Sequence, residues 1–127
     1  METKQTMVNE ICPTTTQNWV KNGAVLVDVR EGDEVEQLAF DVPVIVNIPL
    51  SEFENRYKEL PKDKDLVIVC HSGVRSLRAA GFLKNHGYDR VVNMKYGILR
   101  WAEKGFPLKG NLSAVVNGNN RGSSACC

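Results

Sequence analysis

The chain lacks the features that mark membrane proteins, secreted proteins and proteins that bind nucleic acid. Its 127 residues contain no apolar run as long as a transmembrane helix. The formal net charge is +1, so no electrostatic argument favours nucleic acid or a membrane surface as a partner. Residues 1–10 are polar and lack the apolar centre of a signal peptide. We therefore expect a single domain in the cytoplasm.

Cysteines and cofactor motifs are also scarce. The cysteines are Cys12, Cys70, Cys126 and Cys127, and the adjacent final pair argues against a secreted disulfide framework. No His or Cys stands at zinc-ligand spacing from them. The sequence has no metal, nucleotide or flavin motif and no internal repeat. We expect an enzyme or binding module that works without a cofactor.

A thiol between a predicted strand and a predicted helix is the most informative feature. Residues 67–69 are apolar and largely β-branched, which is typical of a buried strand, and helical periodicity begins at Ser76. Cys70, Gly73 and Arg75 lie between the two elements. In α/β folds, ligands bind where a strand ends and a helix begins, because loop amides and the helix dipole favour negative charge there. The alternative is an inert, buried cysteine that ends a strand.

The other loop residues fit a site for an anion. Gly73 allows the backbone to turn toward a ligand, and Arg75 offers a planar set of donors for an oxyanion. His71 contacts an anionic ligand or is an exposed spacer. Ser72 and Ser76 can donate hydrogen bonds to the sulfur or the ligand, and Ser76 can instead cap the helix.

The spacing of the loop separates two chemistries. Four residues, from His71 to Val74, separate Cys70 from Arg75. Cysteine phosphatases cradle a phosphate with a loop one residue longer, so the ring here gathers its amides over a smaller space. The pattern Cys-x-x-Gly-x-Arg-Ser resembles the active-site loop of rhodanese-type sulfurtransferases.

The resemblance to rhodanese domains extends over most of the chain. The segment Asp28-Val29-Arg30-Glu31 follows a predicted strand, and Asn47-Ile48-Pro49-Leu50 matches a second family segment. The Gly-His that often precedes the second segment is missing, and Tyr96 replaces the first glycine of a Gly-Gly pair. Tyr96 narrows the pocket mouth or repacks it. Asp28 and Arg30 belong to the active-site surroundings, or form a local ion pair that braces loops.

The resemblance implies sulfur transfer through a persulfide. Cys70 as a thiolate would take the outer sulfur of a donor such as thiosulfate and pass it to cyanide, a thiol or an acceptor protein. Arg75 would orient the loop and the donor by hydrogen bonds. Two alternatives stay open, a sulfur-carrier or partner-binding module and a cysteine phosphatase or arsenate reductase on the same fold. We expect a monomer.

Strands that alternate with helices predict a rhodanese-like three-layer α/β fold, a parallel sheet with helices on both faces. The predicted divisions are a polar lead over 1–12, the domain over 13–109 and a flexible tail over 110–127. Asp33 is expected to cap a helix over 33–40, and Ser51 with Glu54 to form a capping box. Cys126 and Cys127 either relay sulfur from Cys70 or do nothing.

Overall fold

Residues 7–111, which the computed structural model describes, form seven strands and five α-helices. The strands are β1 (Asn9–Ile11), β2 (Val25–Asp28), β3 (Leu38–Phe40), β4 (Ile45–Asn47), β5 (Leu66–Val69), β6 (Val91–Met94) and β7 (Leu108–Gly110). The helices are α1 (Pro13–Lys21), α2 (Gly32–Gln37), α3 (Phe53–Arg56), α4 (Val74–Asn85) and α5 (Gly97–Glu103). Short 3₁₀ turns, Leu50–Glu52 and Tyr57–Glu59, flank α3. No helix within this part of the chain is long and apolar enough to cross a membrane.

The central sheet places β5 between two parallel neighbours. Its strand order is β1-β6-β5-β2-β4, and every neighbouring pair in it is parallel. Val67 of β5 pairs with Leu26 of β2 on one side and with Val92 of β6 on the other. All residues of β2, β5 and β6 are buried, which explains their nearly continuous apolar sequences. The predicted parallel sheet is confirmed.

Successive residues of β5 point to two separate hydrophobic clusters. Ile68 packs in a cluster with Phe53 of α3 and Leu83 of α4. Val67 packs in the other cluster with Trp101 of α5, which is fully buried. Helices therefore cover both faces of the sheet, as a three-layer fold requires, and that prediction is also confirmed.

The predicted helix over 33–40 is wrong at its last three residues. Helix α2 ends at Gln37, and Leu38–Phe40 forms β3, which pairs antiparallel with β7 in a small second sheet. Leu38 and Phe40 are buried with Ala39 between them, so the period is that of a strand. The residue at the N-terminal cap of α2 is Glu31 and not Asp33.

The predicted capping box at Ser51 and Glu54 is also wrong. The segment starts as a 3₁₀ turn, and the Ser51 hydroxyl donates to Glu31 Oε1 at 2.8 Å. A capping box exists instead in α2, where Glu34 Oε1 accepts the Glu31 N–H at 2.9 Å. Glu31 therefore caps α2 and also accepts the hydroxyl of Ser51.

Strands lie at both predicted ends of the domain. The lead over 1–12 contains β1, which adds to the edge of the sheet beside β6. The tail over 110–127 begins inside β7, because Gly110 pairs with Leu38. Cys126 and Cys127 lie outside the described residues, and their sulfur relay stays a prediction.

Candidate active site

The loop after β5 places Cys70 at the carboxyl end of the central strand. Cys70 follows Val69 directly, is fully buried, and lies among the described residues as a free thiol. Gly73 adopts the left-handed conformation (φ +102°) at the cap position of α4. The sulfur therefore lies at the N-terminus of a helix of 12 residues, where unpaired amides point toward it.

Two backbone N–H groups and one hydroxyl of the loop surround the sulfur. The Gly73 N–H donates to Cys70 Sγ at 3.1 Å and the Ser76 N–H at 3.3 Å. Ser76 Oγ lies 3.3 Å from Sγ and accepts from the thiol, or donates to the thiolate once the hydroxyl turns. Ser76 is fully buried, so its hydroxyl is held against the sulfur. These donors stabilise negative charge on the sulfur.

Helix α5 holds the first residues of the loop. Its Ile98 N–H donates to the Cys70 carbonyl at 2.9 Å, and its Leu99 N–H donates to the His71 carbonyl at 3.2 Å. His71 is half-buried, whereas Ser72 and Val74 are exposed. The backbone at the start of the loop is thus held by α5, while the side chains of Ser72 and Val74 face solvent.

The buried side chain of Asn93, a residue of β6, holds the active-site loop by a hydrogen bond. Its Nδ2 donates to the Gly73 carbonyl at 3.3 Å and to Glu10 Oε2 at 2.8 Å. Asn93 Oδ1 is buried and has no hydrogen-bond partner among the residues described. Sequence reasoning missed Asn93, although a polar residue within an apolar strand signals a special role.

Arg75 pairs with Glu34 of α2. Its guanidinium donates to Glu34 Oε1 at 2.8 Å and to Oε2 at 3.0 Å, a bidentate pair about one-third exposed. The hydrogen bond from Arg75 is the main cause that lowers the pKa of Glu34 to about 2. The same bond is the main cause that raises the pKa of Arg75. Glu34 was missed, and its signal is an acidic residue in the first turn after Asp-Val-Arg.

Asp28 and Arg30 form the local ion pair that was one of their two predicted roles. Arg30 Nη2 lies 2.8 Å from Asp28 Oδ2, and both side chains are at most 3% exposed. The side chain of Asn47 donates to the carbonyl oxygens of both residues, at 2.8 and 3.0 Å. This cluster braces the loop that leads to Glu31 and Glu34.

Tyr96 and Gly97 bring the start of α5 against the active-site loop. Tyr96 has φ +72° and is 43% exposed, and it lines a cavity of about 280 Å³ with Ser72. The Arg100 guanidinium lies 4.5 Å from the centre of its ring. A Cβ on Gly97 would lie 2.2 Å from the His71 carbonyl oxygen, so only glycine fits there.

A larger cavity of about 450 Å³ lies beside Arg75. It is lined by Glu31, Leu50, Ser51, Glu54, Asn55, Arg75 and Arg78. Two carboxylates and two guanidinium groups thus border one space, next to the loop that carries the thiol. A volume in this range suits a small organic molecule.

Comparisons with known proteins agree with this geometry. The family profile of the rhodanese-like domain matches residues 13–104. A sulfurtransferase from Allochromatium vinosum is 38% identical over 104 residues, covering 80% of this chain and 95% of that protein. The thiosulfate sulfurtransferase GlpE of Actinobacillus pleuropneumoniae is 30% identical over 102 residues, covering 79% and 92%. The crystal structure of a rhodanese-related protein from Thermoplasma volcanium superimposes with a TM-score of 0.72 at 31% identity, covering 80% and 97%.

Proposed function

Because the chain belongs to the rhodanese-like domain family, we propose that it transfers sulfane sulfur through a persulfide on Cys70. Relatives named as sulfurtransferases support sulfur transfer as the general activity. The observation that carries the finer proposal is the set of three polar groups within 3.3 Å of Cys70 Sγ, two backbone N–H groups and the Ser76 hydroxyl. Charge that moves from the thiolate to a persulfide stays within reach of the same donors.

The first half-reaction loads the sulfur. With thiosulfate as donor, the Cys70 thiolate attacks the outer sulfur, the S–S bond of thiosulfate breaks, and its electron pair leaves with sulfite. Cys70 then carries a persulfide anion, and the total charge is unchanged. The Gly73 and Ser76 amides and the Ser76 hydroxyl stabilise the anion in both states.

The second half-reaction unloads the sulfur to a thiophilic acceptor. Cyanide, a small thiol or a thiol of an acceptor protein attacks the outer sulfur of the persulfide. The S–S bond between the outer sulfur and Cys70 Sγ breaks, and its electron pair stays on Cys70, which becomes a thiolate again. The donor and acceptor therefore meet the enzyme in turn, which predicts ping-pong kinetics.

The geometry argues against the phosphatase alternative. Only four residues separate Cys70 from Arg75, and the guanidinium of Arg75 is already paired with Glu34 at both ends. A phosphate ester would need that guanidinium and a wider ring of amides. A small sulfane sulfur needs neither.

The test is steady-state production of thiocyanate from thiosulfate and cyanide. We expect parallel lines when reciprocal rates are plotted against reciprocal thiosulfate concentration at several cyanide concentrations. Cys70→Ser should abolish turnover while its circular dichroism spectrum remains that of the wild type. Intersecting lines, or turnover that survives in Cys70→Ser, would contradict the proposal.

A further inference from the structure

The side chain of Asn93 is oriented by two acceptors, while its own acceptor has no partner. Its Nδ2 donates one hydrogen to Glu10 Oε2 at 2.8 Å and one to the Gly73 carbonyl oxygen at 3.3 Å. Its Oδ1 is buried without a hydrogen-bond partner among residues 7–111. Because an unpaired buried acceptor lowers stability, an apolar residue would suit a position that only packs. The two N–H groups of Asn93 therefore account for a polar residue at this point of β6.

Glu10 fixes which way the Asn93 amide faces. Glu10 of β1 and Asn93 of β6 stand at the same register, so their side chains meet across the edge of the sheet. A half-turn of the amide would place Oδ1 against the Glu10 carboxylate and the Gly73 carbonyl, and acceptors repel one another. The bond to the carboxylate is charge-assisted and is the shorter of the two. Glu10 precedes residues 13–104, which match the family profile, so this contact comes from the strand added at the sheet edge.

Gly73 connects this pair of side chains to the sulfur. Its carbonyl oxygen accepts from Asn93 Nδ2, and its N–H donates to Cys70 Sγ at 3.1 Å. Gly73 has φ +102°, which glycine adopts because it lacks a Cβ, and the same freedom leaves its backbone easy to rotate. A hydrogen bond at its carbonyl limits that rotation and keeps its N–H directed at the sulfur.

We infer that Glu10 and Asn93 are positioning residues of the thiol site, which hold the Gly73 carbonyl so that the Gly73 N–H faces Cys70 Sγ. This inference rests on the proposed sulfur transfer and adds strand β1 to the groups that support it. The sign of the effect separates this role from that of a simple charge. A carboxylate near the thiolate disfavours negative charge on the sulfur, so removing Glu10 would speed sulfur loading if only its charge mattered. Removing Glu10 slows loading if it acts through Asn93.

The first test measures the rate of sulfur loading from thiosulfate in a single turnover. Glu10→Ala should slow loading about fivefold, the net weight of one hydrogen bond. Glu10→Gln should stay within about twofold of the wild type, because its amide oxygen still accepts from Asn93 Nδ2 while the charge is gone. The matched control is Asn9→Ala, also exposed on β1, whose side chain points to the opposite face of the sheet and should leave the rate unchanged. A rate in Glu10→Ala equal to or above that of the wild type, or equal slowing in Glu10→Ala and Glu10→Gln, would overturn the inference.

The second test asks whether Glu10 acts through Asn93. Asn93→Leu should slow loading about tenfold, and adding Glu10→Ala to it should have no further effect, because the connection is already broken. A further fivefold loss in the double variant would show that Glu10 acts by another route. If Asn93→Leu does not fold, the comparison of Glu10→Ala with Glu10→Gln still decides, because Glu10 is exposed.

A third measurement keeps the inference separate from sulfur transfer. The rate at which iodoacetamide alkylates Cys70, followed by peptide mass spectrometry, depends on the thiolate and needs no sulfur donor. Glu10→Ala should slow alkylation about fivefold and Glu10→Gln by less than about twofold. If thiosulfate loads no sulfur on the wild type, the proposed function fails, whereas alkylation still tests the positioning. Equal alkylation rates in Glu10→Ala and the wild type would overturn the positioning role whatever the outcome of sulfur loading.

Discussion

The contact between Gly97 and the active-site loop gives a sharp test of how the site is built. Gly97 has φ +61°, and a Cβ there would lie 2.2 Å from the His71 carbonyl oxygen and 2.6 Å from the Ser72 nitrogen. Both atoms belong to the backbone, so neither can move without moving the loop. Gly97→Ala should therefore displace the His71–Ser72 peptide. The next residue along the loop is Gly73, whose N–H donates to Cys70 Sγ.

Gly105 at the other end of α5 provides the matched control. It has φ +75°, and a Cβ there would meet nothing within 4 Å. Gly105→Ala should lower the free energy of unfolding only by the strain of an alanine in the left-handed conformation, about 1–2 kcal/mol. Gly97→Ala should lower the free energy of unfolding by the same strain and by about 1–3 kcal/mol more, because packed backbone must also be displaced. The expected difference between the two variants is thus about 2 kcal/mol.

The assay is urea unfolding of both variants, combined with their rates of sulfur transfer under conditions where each is folded. Gly105→Ala should keep its activity, whereas Gly97→Ala should lose most of it because the loop donors no longer converge on the sulfur. Equal losses of stability in the two variants, with equal activities, would refute the role assigned to this contact.

The remaining predictions concern the sulfur and its neighbours. Ser76→Ala should slow sulfur loading about tenfold in stopped-flow measurements, because the thiolate loses a buried donor, and an unchanged rate would remove Ser76 from the site. Hydrolysis of an aryl phosphate should be negligible beside sulfur transfer, and comparable rates would favour the phosphatase alternative. The pKa of Glu34 is lowered to about 2, so its pairing with Arg75 stabilises the fold fully above pH 4.5 and is lost as the pH falls toward 2. After discounting for solvent screening at this exposed pair, the free energy of unfolding of the wild type should exceed that of Glu34→Gln by about 1 kcal/mol at pH 7. That difference should vanish at low pH, and a difference that stayed constant with pH would contradict the ion pair.

Local sequence patterns predicted the central strand, the loop and helix α4. Two local patterns carried this prediction, the apolar run Leu66–Val69 and the helical periodicity after it. Both agree with the burial of these residues in the structure. The parallel sheet followed from the alternation of strands with helices. Strand β3 was missed because its three residues continue directly from α2, and only pairing with distant β7 makes them extended.

Sequence reasoning located the thiol and its loop but not the groups that hold the loop. Arg75 was expected to face an oxyanion, whereas its partner Glu34 lies 41 residues away, and no local pattern joins them. The contact of Gly97 with His71 likewise depends on how α5 meets the end of β5. Long-range contacts of this kind follow from the fold as a whole, so the structure was needed to find them.

The most direct test of the account is the intact mass of the protein after incubation with a sulfur donor. Wild-type protein treated with thiosulfate or cysteine persulfide, then freed of donor, should gain the mass of one sulfur atom. Cyanide should remove that mass and yield thiocyanate in equal amount, and peptide mapping should place the added sulfur on Cys70. Cys70→Ser that gains the same mass, or wild-type protein that gains none from either donor, would contradict the persulfide on Cys70.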